Sequence, residues 1–292
     1  MAALDRLSVT SLFDTKGWTA VVTGGGTGLG LITAQALAAN GMKVYVTGRR
    51  IEKLKSAETT HSASGGSIVA LQMDVCSKDS IRAGVAEIAK NEKCINFLVN
   101  NAGVTFEGPR YSGGIPEGSV EDVSKQLFED QGFEEWDRIY RTNVSTCYFV
   151  SAAFLPLLAA AKTKGGFSES GSILNVSSIS GITKESQYGQ FAYNASKAAT
   201  ISLTEQLAVD FKRHDLEIRV NTIAPGYFPS EMTPIAKEEG EVKEHFRNKW
   251  GIPFGRAGRP EDYAQAVINF AVNGYVTGAT LTIDGGWLLA HA

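Results

Sequence analysis

Thr23-Gly24-Gly25-Gly26-Thr27-Gly28-Leu29-Gly30 lies between two runs of opposite character. Before it, Trp18 to Thr23 is apolar and β-branched and reads as a strand. After it, Gly28 to Asn40 is rich in Ala and Leu and reads as a helix that Gly41 stops. A glycine run that leaves a strand and opens a helix lets the backbone turn tightly and approach an anion. The helix N-terminus then offers free N–H groups and a positive dipole end to a pyrophosphate. The spacing is Gly24-x-x-x-Gly28-x-Gly30 and not G-x-G-x-x-G. Position in the chain therefore carries the reading more than the pattern does.

Working outward, short β-branched runs continue to alternate with longer helical ones. Strands are expected at Lys43 to Thr47, Ser67 to Met73, Ile95 to Val99, Ser172 to Val176, Glu217 to Ile223 and Thr280 to Ile283. Helices are expected from Ile51, over Ser77 to Asn91, over Phe133 to Lys162, over Gln190 to His214 and from Pro260. This alternation implies an α/β chain: a single-domain, Rossmann-type, doubly wound parallel sheet with helices on both faces. Residues 1–292 are read as one domain, with an extension at 1–16. A long Gly- and Pro-containing connection at 104–132 and a Pro-punctuated region at 227–257 break the rhythm. Inside the first, Ser119 is placed to cap a short helix through Phe128, with Asp122 in its first turn.

After the second strand, an acidic residue would bind a ribose 2′-hydroxyl and select NAD. Here the chain has Gly48-Arg49-Arg50. Two guanidiniums suit a 2′-phosphate by charge and by bidentate geometry, and a cation at a helix start is otherwise unfavourable. NADP is therefore the expected cofactor. Further on, Tyr193 and Lys197 stand four apart in Tyr193-Asn194-Ala195-Ser196-Lys197. On a helix they share a face. An ammonium beside a phenol, whose ordinary pKa is about 10, is expected to lower it and make an acid/base for an alcohol or carbonyl.

Composition narrows the class. The chain has 292 residues, 43% of them hydrophobic and 20% charged, as in an ordinary globular protein. A net charge of −3 gives no reason to expect nucleic acid or an anionic membrane as partner. The N-terminus does not read as a secretory signal, and the apolar stretch Phe149 to Ala161 is short for a bilayer span. Cys76, Cys94 and Cys147 are scattered, and the histidines lack metal-ligand spacing. No metal is expected, and a cytoplasmic location is.

Taken together, these residues make the chain resemble the short-chain dehydrogenase/reductase family, in its branch with a Tyr-x-x-x-Lys pair. The resemblance runs from about Gly17 to Trp287. The glycine turn is similar to that family's Thr-Gly-x-x-x-Gly-x-Gly. Asp74-Val75 resembles its adenine-contacting pair, and Asn100-Asn101-Ala102-Gly103 its Asn-Asn-Ala-Gly. Asn143 resembles the catalytic asparagine, and Ser177-Ser178 ends the fifth long strand where the catalytic serine belongs. Pro225-Gly226 and Asp284-Gly285-Gly286 resemble its later motifs. Two features depart. The stretch from Ser178 to Tyr193 is slightly long, and Thr27 stands where NADP-using members often carry a basic residue.

The resemblance implies a hydride-transfer enzyme that reduces a small-molecule ketone, of carbonyl or 3-oxoacyl type, to a secondary alcohol with NADPH. It implies Tyr193 as proton donor and Ser178, in preference to Ser177 or Ser180, as hydrogen-bond donor to the carbonyl. Lys197 would tune Tyr193 and hold the nicotinamide ribose, while Asn143 would hold a water leading to solvent. Cofactor contacts would come from Gly24, Thr27, Gly28, Leu29, Gly30, Arg49, Arg50, Asp74, Val75, Asn101, Ala102, Gly103, Tyr193, Lys197, Pro225, Gly226, Phe228 and Ser230. Three other readings stand beside it: an alcohol dehydrogenase working oxidatively, a silent NADP-binding regulator, and a nucleotide-sugar epimerase or dehydratase. Aromatics at Phe106, Tyr111, Tyr188, Phe191, Tyr227, Phe228, Phe246 and Trp250 are placed to wall an apolar pocket. Homo-oligomers, dimer or tetramer, are common in the family.

Overall fold

In the computed structural model, residues 4–60, 63–105, 111, 114–230 and 242–291 are described. The N-terminal extension carries a short helix, α1 (Val9–Leu12). The first half then runs β1 (Thr19–Thr23), α2 (Gly28–Ala39), β2 (Lys43–Gly48), α3 (Ile51–Lys55), β3 (Thr59–Thr60), β4 (Ser67–Gln72), α4 (Lys78–Asn91) and β5 (Phe97–Asn100). The second half runs α5 (Val120–Glu129), α6 (Phe133–Tyr140), α7 (Thr146–Thr163), β6 (Ser172–Val176), α8 (Phe191–Phe211), β7 (Arg219–Pro225), α9 (Val242–Asn248), α10 (Pro260–Val272), β8 (Thr280–Ile283) and α11 (Trp287–Ala290).

The strands form one sheet in the order β3-β4-β2-β1-β5-β6-β7-β8. Every pairing from β4 to β8 is parallel, and only the two-residue edge strand β3 runs antiparallel. The expected doubly wound parallel sheet is what forms. Strand order reverses at β1, so the ends of β1 and β5 flank a switch point where such sheets take ligands.

Side-chain alternation explains why both faces are covered. Ala20 and Val22 of β1 join a core with Ala34, Leu37, Val44, Val46 and Val267. Val21, between them, faces a second core with Ile88, Leu98, Phe154, Leu158 and Val220. The first core lies under α2 and α10, the second under α4 and α7. Helix α2 ends where Gly41 adopts φ +93, with Gly41 N–H donating to Ala38 O and Met42 N–H to Leu37 O. This left-handed termination is open to glycine at little cost.

One expectation changes in detail. The long helix from Phe133 is interrupted at Arg141–Ser145 by a π-helical turn between α6 and α7. The continuous segment Phe133–Thr163 is apolar and long enough by composition to cross a membrane, yet half of its most apolar window is buried, as in a core helix. In the 104–132 connection, Ser119 does cap α5: its hydroxyl accepts from Asp122 N–H, and Asp122 accepts from Ser119 N–H.

Candidate active site

The glycine turn is built by backbone exclusion. Gly24 and Gly28 take φ +63 and +54, values that side chains disfavour. A Cβ on Gly30 would sit 2.2 Å from Gly24 O and 2.4 Å from Asn101 Nδ2. Helix and turn can approach this closely only with hydrogen at that position. Asn101 Nδ2 donates to Thr23 O and Gly24 O at 3.0 and 3.1 Å, and the Thr23 hydroxyl accepts from Asn101 and Ala102 N–H. The ends of β1 and β5 are thus tied together. Thr27 is the N-cap of α2 but its side chain caps nothing, which leaves the first-turn N–H groups at Gly28, Leu29 and Gly30 for an anion. Ser230 closes over this cradle: a Cβ on Gly28 would lie 3.3 Å from Ser230 Cβ. The cradle has the shape and donors for a dinucleotide pyrophosphate.

Arg49 and Arg50 are exposed just past β2, with Arg50 as the N-cap of α3. The Arg49 carbonyl accepts from Gln72 Nε2 at 2.9 Å. Its guanidinium has no carboxylate partner among the described residues. Asp74 is held rigidly past β4: its N–H donates to Ser80 Oγ, and its carboxylate accepts from Cys76 N–H, both at 2.9 Å. Val75 packs on the second core.

The expected proton-transfer residues lie past β6. Ser178 caps a 3-10 turn over Ile179–Gly181, and its hydroxyl pulls down the pKa of the half-buried Tyr193 phenol. Of the neighbouring serines, Ser177 Oγ donates to Lys197 O at 2.7 Å, and Ser180 Oγ accepts from Ser178 at 3.1 Å. A Cβ on Gly181 would fall 2.6 Å from the Lys197 carbonyl carbon, so glycine lets this turn sit directly against α8.

The expected acidification of Tyr193 by Lys197 needs correction. Burial raises the phenol pKa, and Ser178, rather than Lys197, opposes the rise. Lys197 is buried, and its Nζ donates to Val176 O at 2.9 Å while lying 5.7 Å from the Tyr193 ring centre. Desolvation lowers its own pKa to about 8.

Asn143 lies in the π-turn, where such irregularities often mark function. Its Oδ1 accepts from Val104 N–H at 2.8 Å, and its Nδ2 donates to Val104 O and Ser196 Oγ, both at 3.0 Å. Both amide donors are committed, so the asparagine acts first as a clamp on the segment after β5. Only the second lone pair of Oδ1 is left for the expected water. A Cβ on Gly103 would stand 3.3 Å from Asn143 Oδ1 and 3.5 Å from Lys197 Nζ, so both groups converge on Gly103.

Past β7, a Cβ on Gly226 would lie 2.8 Å from Asp284 Cα, which brings Pro225-Gly226 against the Asp284-Gly285-Gly286 turn. Phe228 needs correction as a pocket-wall residue. Its ring is buried edge-on against Tyr263, 5.6 Å between centres, which leaves its backbone for the expected cofactor contact. Phe106, an expected pocket residue, lies outside the described residues. Ser196 was not singled out from sequence. It joins Asn143 to Tyr193 by donating to Tyr193 O at 2.7 Å, and its position between the tyrosine and lysine was the available signal.

Comparisons with known proteins agree with this geometry. A family model described as short chain dehydrogenase matches residues 18–240. The short-chain dehydrogenase/reductase PhomF of Diaporthe leptostromiformis is 37% identical over 286 residues, covering 97% of this chain and 95% of its own. The 3-oxoacyl-[acyl-carrier-protein] reductase FabG of Chlamydia trachomatis is 32% identical, covering 92% and 96%. Among solved structures, an NADPH-dependent 3-quinuclidinone reductase from Rhodotorula rubra superposes with TM-score 0.75 at 29% identity, covering 97% of this chain and 95% of that one. A RhlG/NADP complex of Pseudomonas aeruginosa superposes with TM-score 0.76 at 29% identity, covering 94% and 98%. The chain belongs to the short-chain dehydrogenase/reductase family, whose members are oxidoreductases that bind NAD(P).

Proposed function

We propose that the protein is an NADPH-dependent reductase that converts a ketone to a secondary alcohol. The observation that carries this reading is Lys197 buried beside Tyr193, its Nζ 5.7 Å from the ring centre and donating to Val176 O, at the strand ends that also hold the glycine cradle. Bound NADPH supplies the hydride. The Ser178 hydroxyl orients the carbonyl oxygen, and the Tyr193 phenol gives that oxygen its proton. The raised phenol pKa keeps this proton in place at neutral pH. Lys197, charged below about pH 8, provides a positive centre near the phenol and Gly103.

Support for NADPH rests on Arg49, which follows β2 and has no carboxylate partner among the described residues, and on the NADPH-dependent quinuclidinone reductase and the RhlG/NADP complex among its structural relatives. Support for reduction rests on the reductase names of several relatives. The oxidative direction is favoured by one relative, gluconate 5-dehydrogenase of Gluconobacter oxydans. A silent regulator is disfavoured because Asn143, Ser178, Tyr193 and Lys197 are all present. We also propose a cytoplasmic homo-oligomer, with exposed Tyr148 and Phe149 on α7 as contact residues. Light scattering tests the assembly. The activity is tested with a ketone panel and NADPH or NADH, followed at the nicotinamide absorbance band. Ketone-dependent NADPH oxidation is expected; oxidation of neither cofactor by any ketone overturns the reading.

A further inference from the structure

Helix α11 opens on a turn that fixes its direction. Gly285 and Gly286 have φ +63 and +84, and the Asp284 carboxylate accepts from Gly286 N–H at 2.9 Å and from Leu288 N–H at 2.8 Å. The Trp287 indole that follows is 3% exposed, and its Nε1 donates to Trp250 O at 2.9 Å. Its ring lies 6.2 Å from that of Tyr227, which packs edge-on against Trp250 at 4.8 Å. Phe246, Ile252 and Ile179 belong to the same cluster. Ile179 follows Ser178 directly, and Tyr227 follows Pro225-Gly226. The cluster therefore bridges the Ser178 turn, the Pro-Gly turn and the segment that carries α9.

His291 folds back on this cluster. Its imidazole stacks on the Trp287 indole, 3.8 Å between centres and 8° between planes, and its Nδ1–H donates to Trp287 O at 2.8 Å. Another edge of the imidazole lies on the backbone of Gly251. A Cβ on Gly251, which has φ +62, would sit 2.2 Å from His291 Cε1 and 2.4 Å from Nε2. Trp250 and Gly251 are thus held together, one by the indole N–H and the other by the imidazole. Helix α9, just before them, has few anchors of its own: of its described side chains, only that of Phe246 is buried. A segment with so few buried contacts opens readily unless something else pins it.

We propose that Trp287 and His291 are positioning residues that latch the segment 242–257 onto the Ser178 and Pro-Gly turns, and so set how tightly the ketone binds without taking part in hydride or proton transfer. The inference rests on the ketone-reductase reading. With the latch closed, Phe246 and Ile252 pack with Ile179 and the substrate side of the site is walled. With the latch released, the walled form is only a fraction of the population, and apparent ketone affinity falls by that fraction. Tyr193, Lys197 and the glycine cradle lie outside the cluster, so the chemical step and cofactor binding are spared.

The test compares His291→Ala, Gly251→Ala and the double variant with wild type. Gly251→Ala puts a methyl group where the imidazole lies and so displaces it. The strain of alanine at this φ is present in the single and the double variant alike and cancels between them. Hydrogen exchange over 242–257 should quicken about tenfold in His291→Ala, the worth of one stack and one hydrogen bond, while 190–197 keeps its protection. The double variant should exchange no faster than Gly251→Ala, whose latch is already released. With 4-phenyl-2-butanone and NADPH, KM for the ketone should rise about tenfold in His291→Ala, and kcat and NADPH affinity should stay within about twofold. Exchange and KM within about twofold of wild type in His291→Ala, or effects of the two substitutions that multiply in the double variant, overturn the latch. Faster exchange without turnover of any ketone leaves the latch standing and overturns the reductase reading instead.

Discussion

The two halves of the site are made in different ways. On the cofactor side, the strand ends of β1 and β5 are shaped by what is missing. Gly24, Gly28 and Gly30 supply positive φ or a vacant Cβ position, and first-turn backbone N–H groups are left for a ligand. On the candidate catalytic side, past β6, the geometry rests on side chains held by packing. Lys197 donates to Val176 O, Asn143 clamps Val104, and Ser178 caps a 3-10 turn. A backbone-built site depends on local sequence. A side-chain-built site depends on elements far apart in the chain, and its electrostatics follow from burial.

The comparison breaks most sharply if one half fails without the other. Tyr193→Phe removes the proton donor and leaves the glycine cradle untouched. Its ketone reduction should fall about 10³-fold, while NADPH affinity, read by fluorescence titration, stays within about twofold. Equal turnover in mutant and wild type would sink the assignment. Gly30→Ala is the reciprocal case. Its Cβ meets Gly24 O and Asn101 Nδ2, so the fold should lose about 3 kcal/mol in urea unfolding. Unchanged stability would show that the turn is looser than its geometry.

Smaller effects sharpen the contrast. Arg49→Asp should lower the NADPH/NADH ratio of kcat/KM by about 30-fold, the value of one charge-assisted hydrogen bond or slightly more. An unchanged ratio removes the argument for NADP. The pH profile tests the buried lysine. Its pKa is lowered to about 8, so Lys197 is charged below that pH and neutral above it. The kcat/KM should therefore hold from about pH 6 to about 7.5 and then fall about tenfold per unit. A flat profile to about pH 10 contradicts that role. Ser119→Ala lies outside both halves. It removes the capping box of α5, which has no buried residue, and should cost about 1 kcal/mol of stability with activity retained.

Much of the fold was legible because hydrophobic periods and glycine punctuation are local signals. The strand–glycine–helix unit, the cap at Ser119 and the Pro at the start of α10 appear where their residues say they should. Boundaries moved by a few residues: β5 starts at Phe97 and β7 at Arg219. The π-turn at Asn143 was not legible, because its residues suit an ordinary helix and the Asn143 side chain's partners, Val104 and Ser196, lie far away in sequence. Phe228 was placed by its neighbours in sequence, whereas its ring belongs to the core under α10.

By itself, the sequence determined the parallel sheet and the glycine turn, and it nominated the candidate proton-transfer residues, since each depends on residue type and spacing. Tertiary structure alone decided how those residues behave. Spacing suggested a lysine that acidifies its tyrosine, but desolvation acts on both side chains. It raises Tyr193, lowers Lys197, and leaves Val176 O rather than the phenol as the partner of the ammonium. Tertiary structure likewise tied the Ser177 hydroxyl to Lys197 O and the Ser178 hydroxyl to Ser180. The physical reason is the same in each case. Burial and hydrogen-bond satisfaction are properties of the whole packed molecule, and the spacing of a motif does not contain them.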